Sequence, residues 1–303
     1  MLRIFALWLV LTAAAIAQVP QTGAGINGAS TPPPSYSGPG DVVASAVAWW
    51  GLRAYSAAYA ASLGKIANIC TPLDAVCADV NSDASGNFNL SGTGSLLCNN
   101  STSICTIKTF YDQSGTNSCS SAPCNVTQTT AASRLTLVTG CLGSLVCASG
   151  AGSESYETSN FPHITTPMST SGIAQRTAAT TSYQAITGDS SADYGLYFDN
   201  AANTMSYFVN SGSPTITAND NAWHACQGVR DTTDGVFAIA CDGTTESNNT
   251  GNVQTLTNQV FVATDGDGEG IQGMFEEVGW WAVAFNSTQI TNMNSNQHSY
   301  WGF

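Results

Sequence analysis

The sequence predicts an all-β fold, a two-sheet antiparallel sandwich, and three observations predict it. From residue 183 onward, short runs rich in aromatic and β-branched side chains (YGLYFDN, TMSYFVN, AWHACQGVR, GVFAIACDG, QVFVATDG, GMFEEVGWWAVAF) are separated by turn residues. That spacing is the pattern of an antiparallel sandwich. Between 67 and 150, shorter runs such as TIKTFYDQ and RLTLVTG alternate with turns of Gly, Ser, Asn and Cys. The stretch WHACQGVRDTTDGVFAIACDG reads as two strands around the turn cluster Asp231-Thr-Thr-Asp-Gly235. Cys226 and Cys241 lie at similar distances from that turn, so a bridge between them would fix the hairpin register. No period of about 20 to 50 residues recurs, which argues against a solenoid.

Taken in chain order, residues 1–17 (MLRIFALWLVLTAAAIA) carry Arg3, an apolar run and Ala15-Ile16-Ala17, the pattern of a secretory signal peptide. The alternative is an uncleaved N-terminal anchor. Residues 18–40 are rich in Pro, Gly and Ser and read as a linker. Residues 41–303 are long enough for one sandwich domain. Within them, DVVASAVAWWGLRAYSAAYAASLGKI (41–66) has an apolar, Ala-rich segment that reads as helix or strand. No segment after the signal is apolar enough to cross a bilayer. The mature chain is therefore expected to be secreted, extracellular or at the cell surface (or periplasmic), without membrane insertion.

Charge and cysteine content narrow the function. Only 9% of residues are charged, with 7 Lys+Arg against 20 Asp+Glu and a net charge of −13. So few cations cannot neutralise a phosphate backbone, which excludes nucleic acid as an expected partner. The ten cysteines, read in order, form short intervals: Cys70–Cys77, Cys98–Cys105, Cys119–Cys124, Cys141–Cys147 and Cys226–Cys241. In an exported chain an even set reads as disulfides. Structural zinc is disfavoured, because there is no C-x-x-C and the three histidines are isolated in sequence.

The stretch DGDGEGIQGMFEEVGWW (265–281) matches several site patterns at once. Its G-x-G-x-x-G has no helix after it to receive a pyrophosphate, and its carboxylates would repel one. Its EF-hand spacing lacks flanking helices. Asp265, Asp267 and Glu269 in a Gly-rich turn still offer oxygens to calcium without an EF-hand, and calcium is the one candidate ion; no cofactor is required. Glu276 and Glu277 fall in strand alternation, with Phe275, Glu277, Gly279 and Trp281 on one face and Glu276, Val278 and Trp280 on the other. One glutamate must then share a face with a large apolar stripe, and a structural carboxylate is the expectation for it. Asp112 is expected to be a strand-end turn residue.

Two resemblances follow from these motifs. Trp223-His224, the hairpin and Cys241-Asp242-Gly243 resemble the W-H … V-D-G hairpin of concanavalin A-like and laminin-G-like jelly rolls. FEEVGWWAVAFNSTQI is similar to their last core strand, followed by a small helix near Ser287–Asn294. GPGDVVAS (38–45), LRAYSAAY (52–59), CNNSTSICTIKTFYDQSG (98–115) and VTQ (126–128) resemble the start of the fungal-type α-L-arabinofuranosidase B catalytic domain. The resemblance implies a jelly roll and a retaining glycosidase's pair of carboxylates about 5 Å apart. Asp265 or Asp267, before the QGMFEE strand, matches the family's acid. Asp199 of LYFDNAAN matches the Asp of its Asp-x-Glu pair, but Ala201 stands where the nucleophilic Glu belongs; in another alignment Asp189 or Asp193 supplies the missing carboxylate.

The leading expectation is a carbohydrate-recognition module that holds a polysaccharide or glycan through Asp199, Asp265 and Asp267. The alternative is an α-L-arabinofuranosidase-like hydrolase acting on arabinose-containing polysaccharide, with Asp199 and Asp265 catalytic. A third reading is a structural surface or virion component, which predicts an exposed apolar patch and no polar cleft.

Overall fold

The computed structural model describes residues 36–71, 74, 76–91, 98, 105–177, 182–191, 194–200, 203–208, 213–231, 237–248, 255–256 and 259–303. The signal (1–17), the linker up to 35, Asp193, Ala201 and the hairpin tip 232–235 lie outside the described residues. In chain order the elements are α1 (Pro39–Val42), β1 (Ala48–Gly51), α2 (Ala57–Ala61), β2 (Lys65–Cys70), β3 (Cys77–Asn81), β4 (Thr106–Phe110), β5 (Val126–Thr127), β6 (Thr136–Leu142), β7 (Leu145–Ala151), β8 (Tyr156–Ser159), β9 (Met168–Arg176), β10 (Gln184–Asp189), β11 (Gly195–Phe198), β12 (Thr204–Phe208), β13 (Thr215–Thr217), β14 (Trp223–Arg230), β15 (Phe237–Cys241), β16 (Thr244–Asn248), β17 (Gln259–Val262), β18 (Gln272–Trp281) and α3 (Ser287–Trp301).

The strands pair antiparallel in two layers. In the first, β1 and β7 flank the two halves of β18, and β9, β14, β15 and β16 follow beyond it. The second runs β5, β8, β17, β10, β11, β12, β13. Strands β2, β3, β4 and β6 join the two along one side. The all-β antiparallel sandwich is as expected. Its core takes Ile173, Ala225, Val278 and Trp280 from the first layer and Ile186, Leu196, Phe198, Met205 and Val260 from the second. Burying each large apolar side chain contributes about 1.5–3 kcal/mol. The Trp280 indole N–H donates to Thr187 Oγ1 across the layers at 3.1 Å.

Alternation along β1 explains the paired tryptophans. Trp50 enters the core between the layers, whereas Trp49 points the other way, into a second cluster with Tyr55, Trp281, Phe285 and Met293 beneath α3. The segment 41–66, read as helix or strand, is divided into α1, β1, α2 and the start of β2. Residues 36–40 are among those described, and α1 starts at Pro39. A Cβ on Gly38 would lie 2.4 Å from the Tyr55 carbonyl oxygen, so only glycine lets the chain pass there.

The helix α3 is longer than the small helix expected near Ser287–Asn294. Asn286 caps it and Gln289 closes a capping box, while Gly302 ends it at φ 78°. The five disulfides join the expected pairs, and no described cysteine is free. Cys226 and Cys241 are direct cross-strand partners, the register anticipated for the hairpin. No described helix is long and apolar enough to cross a membrane.

The expected alternation fails at one point in β18. A bulge between Phe275 and Glu277 shifts the register against β9. Phe275 therefore joins Val278 and Trp280 in the core instead of sharing a face with Glu277 and Trp281.

Candidate functional site

Because Leu196 and Phe198 point into the core, Tyr197 between them points out of the second layer. Ser206, its cross-strand partner on β12, sends its hydroxyl to Asp199 Oδ1 in a short hydrogen bond. Asp199 follows β11 on the same side as Tyr197, anchored by its N–H to the Thr204 carbonyl at 2.9 Å and by the Arg176 guanidinium on its own carbonyl. Burial raises its carboxyl above 3.8, against the lowering pull of Ser206 and Arg176.

The loop after β17 folds back over β10. Gly266 N–H donates to the Asp189 carbonyl at 3.1 Å, and Ala185 N–H to the Glu269 carbonyl at 2.8 Å. Asp265 holds this loop together: its Oδ1 accepts the N–H groups of Asp267 and Glu269, each at 3.0 Å. A Cβ on Gly188 would fall 2.6 Å from Asp265 Cβ and 2.7 Å from the Tyr197 hydroxyl, so glycine there lets both close on β10. The Tyr197 hydroxyl thus lies beside Asp265. Asp265 is only 2% exposed, and burial raises its carboxyl pKa despite the two amides.

Beside the loop opens a cleft of about 390 Å³ whose lining includes Tyr183, Gln184, Asp267, Glu269 and Gln272. Its lining is hydroxyl, amide and carboxylate around one tyrosine, and the Tyr183 ring meets Tyr197 edge-on at 6.2 Å. Burial and the charges of Asp265 and Asp267 raise the Glu269 carboxyl. Of the acids expected to contact a glycan, Asp267 lines this cleft; Asp265 lies beneath its loop, and Asp199, after β11, is 9% exposed and does not line it. Tyr183 and Gln184 were not singled out in the sequence, where TSYQAI carries no signal beyond strand pattern; Gln272 opens the QGMFEE strand of the resemblance but was not assigned to a site.

Asp265, Asp267 and Glu269 are not among the described groups whose ligand atoms lie within 4.8 Å of one another. An ion held by all three would need Asp267 and Glu269 to turn toward Asp265. The fully buried Asp189 accepts the Ser191 hydroxyl on both oxygens, at 2.8 and 2.9 Å, and so closes the turn after β10. Asp112 accepts the N–H groups of Trp49, Ser114 and Cys124, the strand-end role expected of it.

Both glutamates of β18 are fully buried. Glu277 pairs with Arg53. Glu276, in the bulge, has only the disulfide sulfur of Cys141 at 3.8 Å near Oε1, which has no S–H to give, and no described donor reaches its Oε2. Burial, with the Glu277 charge second, raises its pKa well above 4.5, so the folded state holds its proton more tightly than the unfolded chain does. This favours folding most below pH 4.5, and the benefit fades as pH rises toward the folded pKa. Glu276→Gln, a neutral isostere, is therefore expected to gain about 1 kcal/mol or more at pH 7 and little at pH 4. Urea unfolding at both pH values checks this; an equal effect at both would show that Glu276 is not held protonated.

No family model and no curated protein matches the sequence. Among solved structures the chain is similar to a GH54 α-L-arabinofuranosidase soaked with a cyclic sulfate inhibitor, with TM-score 0.59 and 13% identity over 86% of this chain and 64% of the other. It is also similar to an arabinofuranosidase complexed with arabinofuranosyl-α-1,2-xylobiose, with TM-score 0.56 and 15% identity over the same shares. The chain thus spans less than two thirds of these proteins. At such identities the likeness is one of fold, and it agrees with the arabinofuranosidase-like architecture expected from the YDQSG region.

Proposed function

We propose that this protein is a secreted or surface carbohydrate-recognition module of concanavalin-like type, taking arabinose-containing or related polysaccharide at the cleft beside the 265–269 loop. The polar cleft carries this reading. Side-chain amides, carboxylates and a tyrosine ring are the groups that hydrogen-bond sugar hydroxyls and pack on a pyranose or furanose face. A purely structural sandwich would offer no such polar cleft. The second reading, an arabinofuranosidase-like hydrolase, is favoured by the fold neighbours and by Asp199 and Asp265, two buried carboxyls whose pKa values are raised.

Binding to arabinan and arabinoxylan oligosaccharides, measured by calorimetry and glycan array beside turnover of an aryl α-L-arabinofuranoside, tests both. Binding without turnover is expected, weakened about tenfold (about 1.4 kcal/mol) by Tyr183→Ala and also reduced by Asp267→Asn. Turnover abolished by both Asp199→Asn and Asp265→Asn would establish the hydrolase instead. Neither binding nor turnover would favour the structural reading. Calcium belongs to this proposal as an ion of the same loop: the same samples, melted with saturating calcium or chelator, should then show a rise in melting temperature that Asp267→Asn abolishes.

A further inference from the structure

Two histidines that are isolated in sequence meet one carboxylate. Asp242, in the turn after β15, accepts from His224 Nδ1 through Oδ2 at 2.6 Å and from His298 Nε2 through Oδ1 at 3.1 Å. Oδ1 also takes the Ala225 N–H at 3.0 Å. The second nitrogen of each ring meets a carbonyl oxygen: His224 Nε2 lies 2.9 Å from that of Asn219, and His298 Nδ1 lies 2.6 Å from that of Phe303. All four ring nitrogens thus face acceptors. A neutral imidazole has one N–H and fills one such bond, leaving a lone pair against an oxygen; an imidazolium fills both.

We propose that His224 and Asp242 form a pH-dependent clasp across the β14–β15 hairpin, firm in mildly acidic medium and loosening as the medium turns alkaline, and that His298 seats α3 and the tail after it on the same carboxylate. The three residues come from separate elements. His224 is on β14, Asp242 follows β15, and His298 is on the last turn of α3, where the Phe303 ring also lies 4.6 Å from its own. The clasp adds to the polar seam of Gln227 with Gln297 (2.8 Å) and of Asn294 with the Ala225 carbonyl (3.1 Å), which already joins α3 to β14. Asp242 and His298 also line a groove of about 940 Å³ between α3 and β15–β16, with Phe285 and Ile290 in its wall, so the clasp stands at the mouth of a second concave surface.

The charged groups around His224 favour its protonated form. His224 faces Asp242 and, from the turn before β14, Asp220, which is itself paired with Arg176 of β9 at 2.6 Å; the Phe198 ring of β11 packs edge-on at 6.4 Å. Burial pushes the His224 pKa down, but its bonds to Asp242 and the Asn219 carbonyl and the charges of Asp242 and Asp220 together raise it above 6.5. Burial likewise pushes Asp242 up, and its bonds to His224 and Ala225 together with the two histidines bring it below 3.8. The His224 contribution is complete below pH 6.5 and is lost as pH rises through the folded pKa. The Asp242 contribution is present above pH 3.8 and is lost as pH falls through its lowered pKa. The clasp is therefore firmest between about pH 4 and pH 6.5.

The test is urea unfolding of the wild type, Asp242→Asn and His298→Gln from pH 5 to pH 9, with ¹⁵N NMR of the histidine rings of the wild type. The unfolding constant of the wild type should approach that of Asp242→Asn as pH climbs past 6.5, by up to about tenfold per pH unit for each proton released. The Glu276 contribution is common to both proteins and cancels in that difference. NMR should find His224 as imidazolium at pH 6.5, with both nitrogens protonated. Amide exchange in α3, corrected for base catalysis, should rise with pH more than that in β18. A wild-type to Asp242→Asn difference that stays constant with pH, or a neutral His224 ring at pH 6.5, would overturn the clasp. If Asp242→Asn does not fold, His298→Gln, at a side chain 28% exposed, and the wild-type ring titration decide it alone.

Discussion

Arg53→Met is expected to destabilise the protein by about 3–5 kcal/mol, the cost of leaving a buried carboxylate without its partner. In the native sandwich Arg53 and Glu277 are both fully buried and joined twice, Nε to Oε2 at 2.6 Å and Nη2 to Oε1 at 2.8 Å. The guanidinium also reaches Asn296 Oδ1 at 2.9 Å and lies 4.6 Å over the Tyr300 ring, while Gln297 Nε2 donates to Glu277 at 3.1 Å. The pair therefore joins the chain just after β1, strand β18 and helix α3, three elements more than 200 residues apart at the extremes. Removing the arginine strands Glu277 and loosens α3 with it. For a chain of this size such a loss lowers the melting temperature by roughly 6–15 °C. The double variant Arg53→Met with Glu277→Met should recover much of it, because no charge is then left buried, and the two changes should be strongly non-additive. Additive effects of the two single changes would show that the pair is not coupled.

How much of this was legible in the sequence depends on how local each feature is. The strands and their turns, and the bridges between cysteines at separations of 5 to 15 residues, are short-range, and they stand where the pattern put them. The α3 boundaries were equally readable, since Asn286, Gln289 and Gly302 are the capping signals themselves; the expectation of a short helix came from resemblance and ended too soon. The bulge at Glu276 left no mark in the alternation, because β18 has large apolar side chains on both faces: Trp280 feeds the core and Trp281 the cluster under α3. The loop at 265–269 was recognised as acidic and Gly-rich, but not that Asp265 would turn inward to hold its own backbone while Asp267 and Glu269 face the cleft. That depends on Gly188, 77 residues upstream, leaving room for Asp265. The clasp is likewise a product of tertiary structure: His224 and His298 are 74 residues apart and meet only because α3 packs across β14.

Asp112→Ala should cost about 3–6 kcal/mol, as three backbone donors, two of them fully buried, lose a charged acceptor. Asp112 Oδ1 accepts the Trp49 N–H at 3.1 Å and the Ser114 N–H at 2.9 Å, and Oδ2 accepts the Cys124 N–H at 2.9 Å. One carboxylate thereby ties β1 to the disulfide loop of Cys119 and Cys124, and the Trp50 indole N–H returns to the Cys124 carbonyl at 2.6 Å. Gln113 completes the joint: its side chain accepts the Tyr55 N–H and donates to the Gly51 carbonyl, each at 3.0 Å. The YDQSG motif thus satisfies the backbone where β1 leaves the sheet, and its aspartate is engaged there rather than presented to a ligand. Asp112→Asn keeps one acceptor oxygen and should lose about half as much. Chemical denaturation separates the two roles an aspartate in this motif can have. A structural Asp112 gives a large loss of stability in the alanine variant, an intermediate loss in asparagine, and glycan affinity unchanged in whichever variant folds. An alanine variant that melts within 1–2 °C of the wild type while losing glycan affinity would instead make Asp112 part of a binding site.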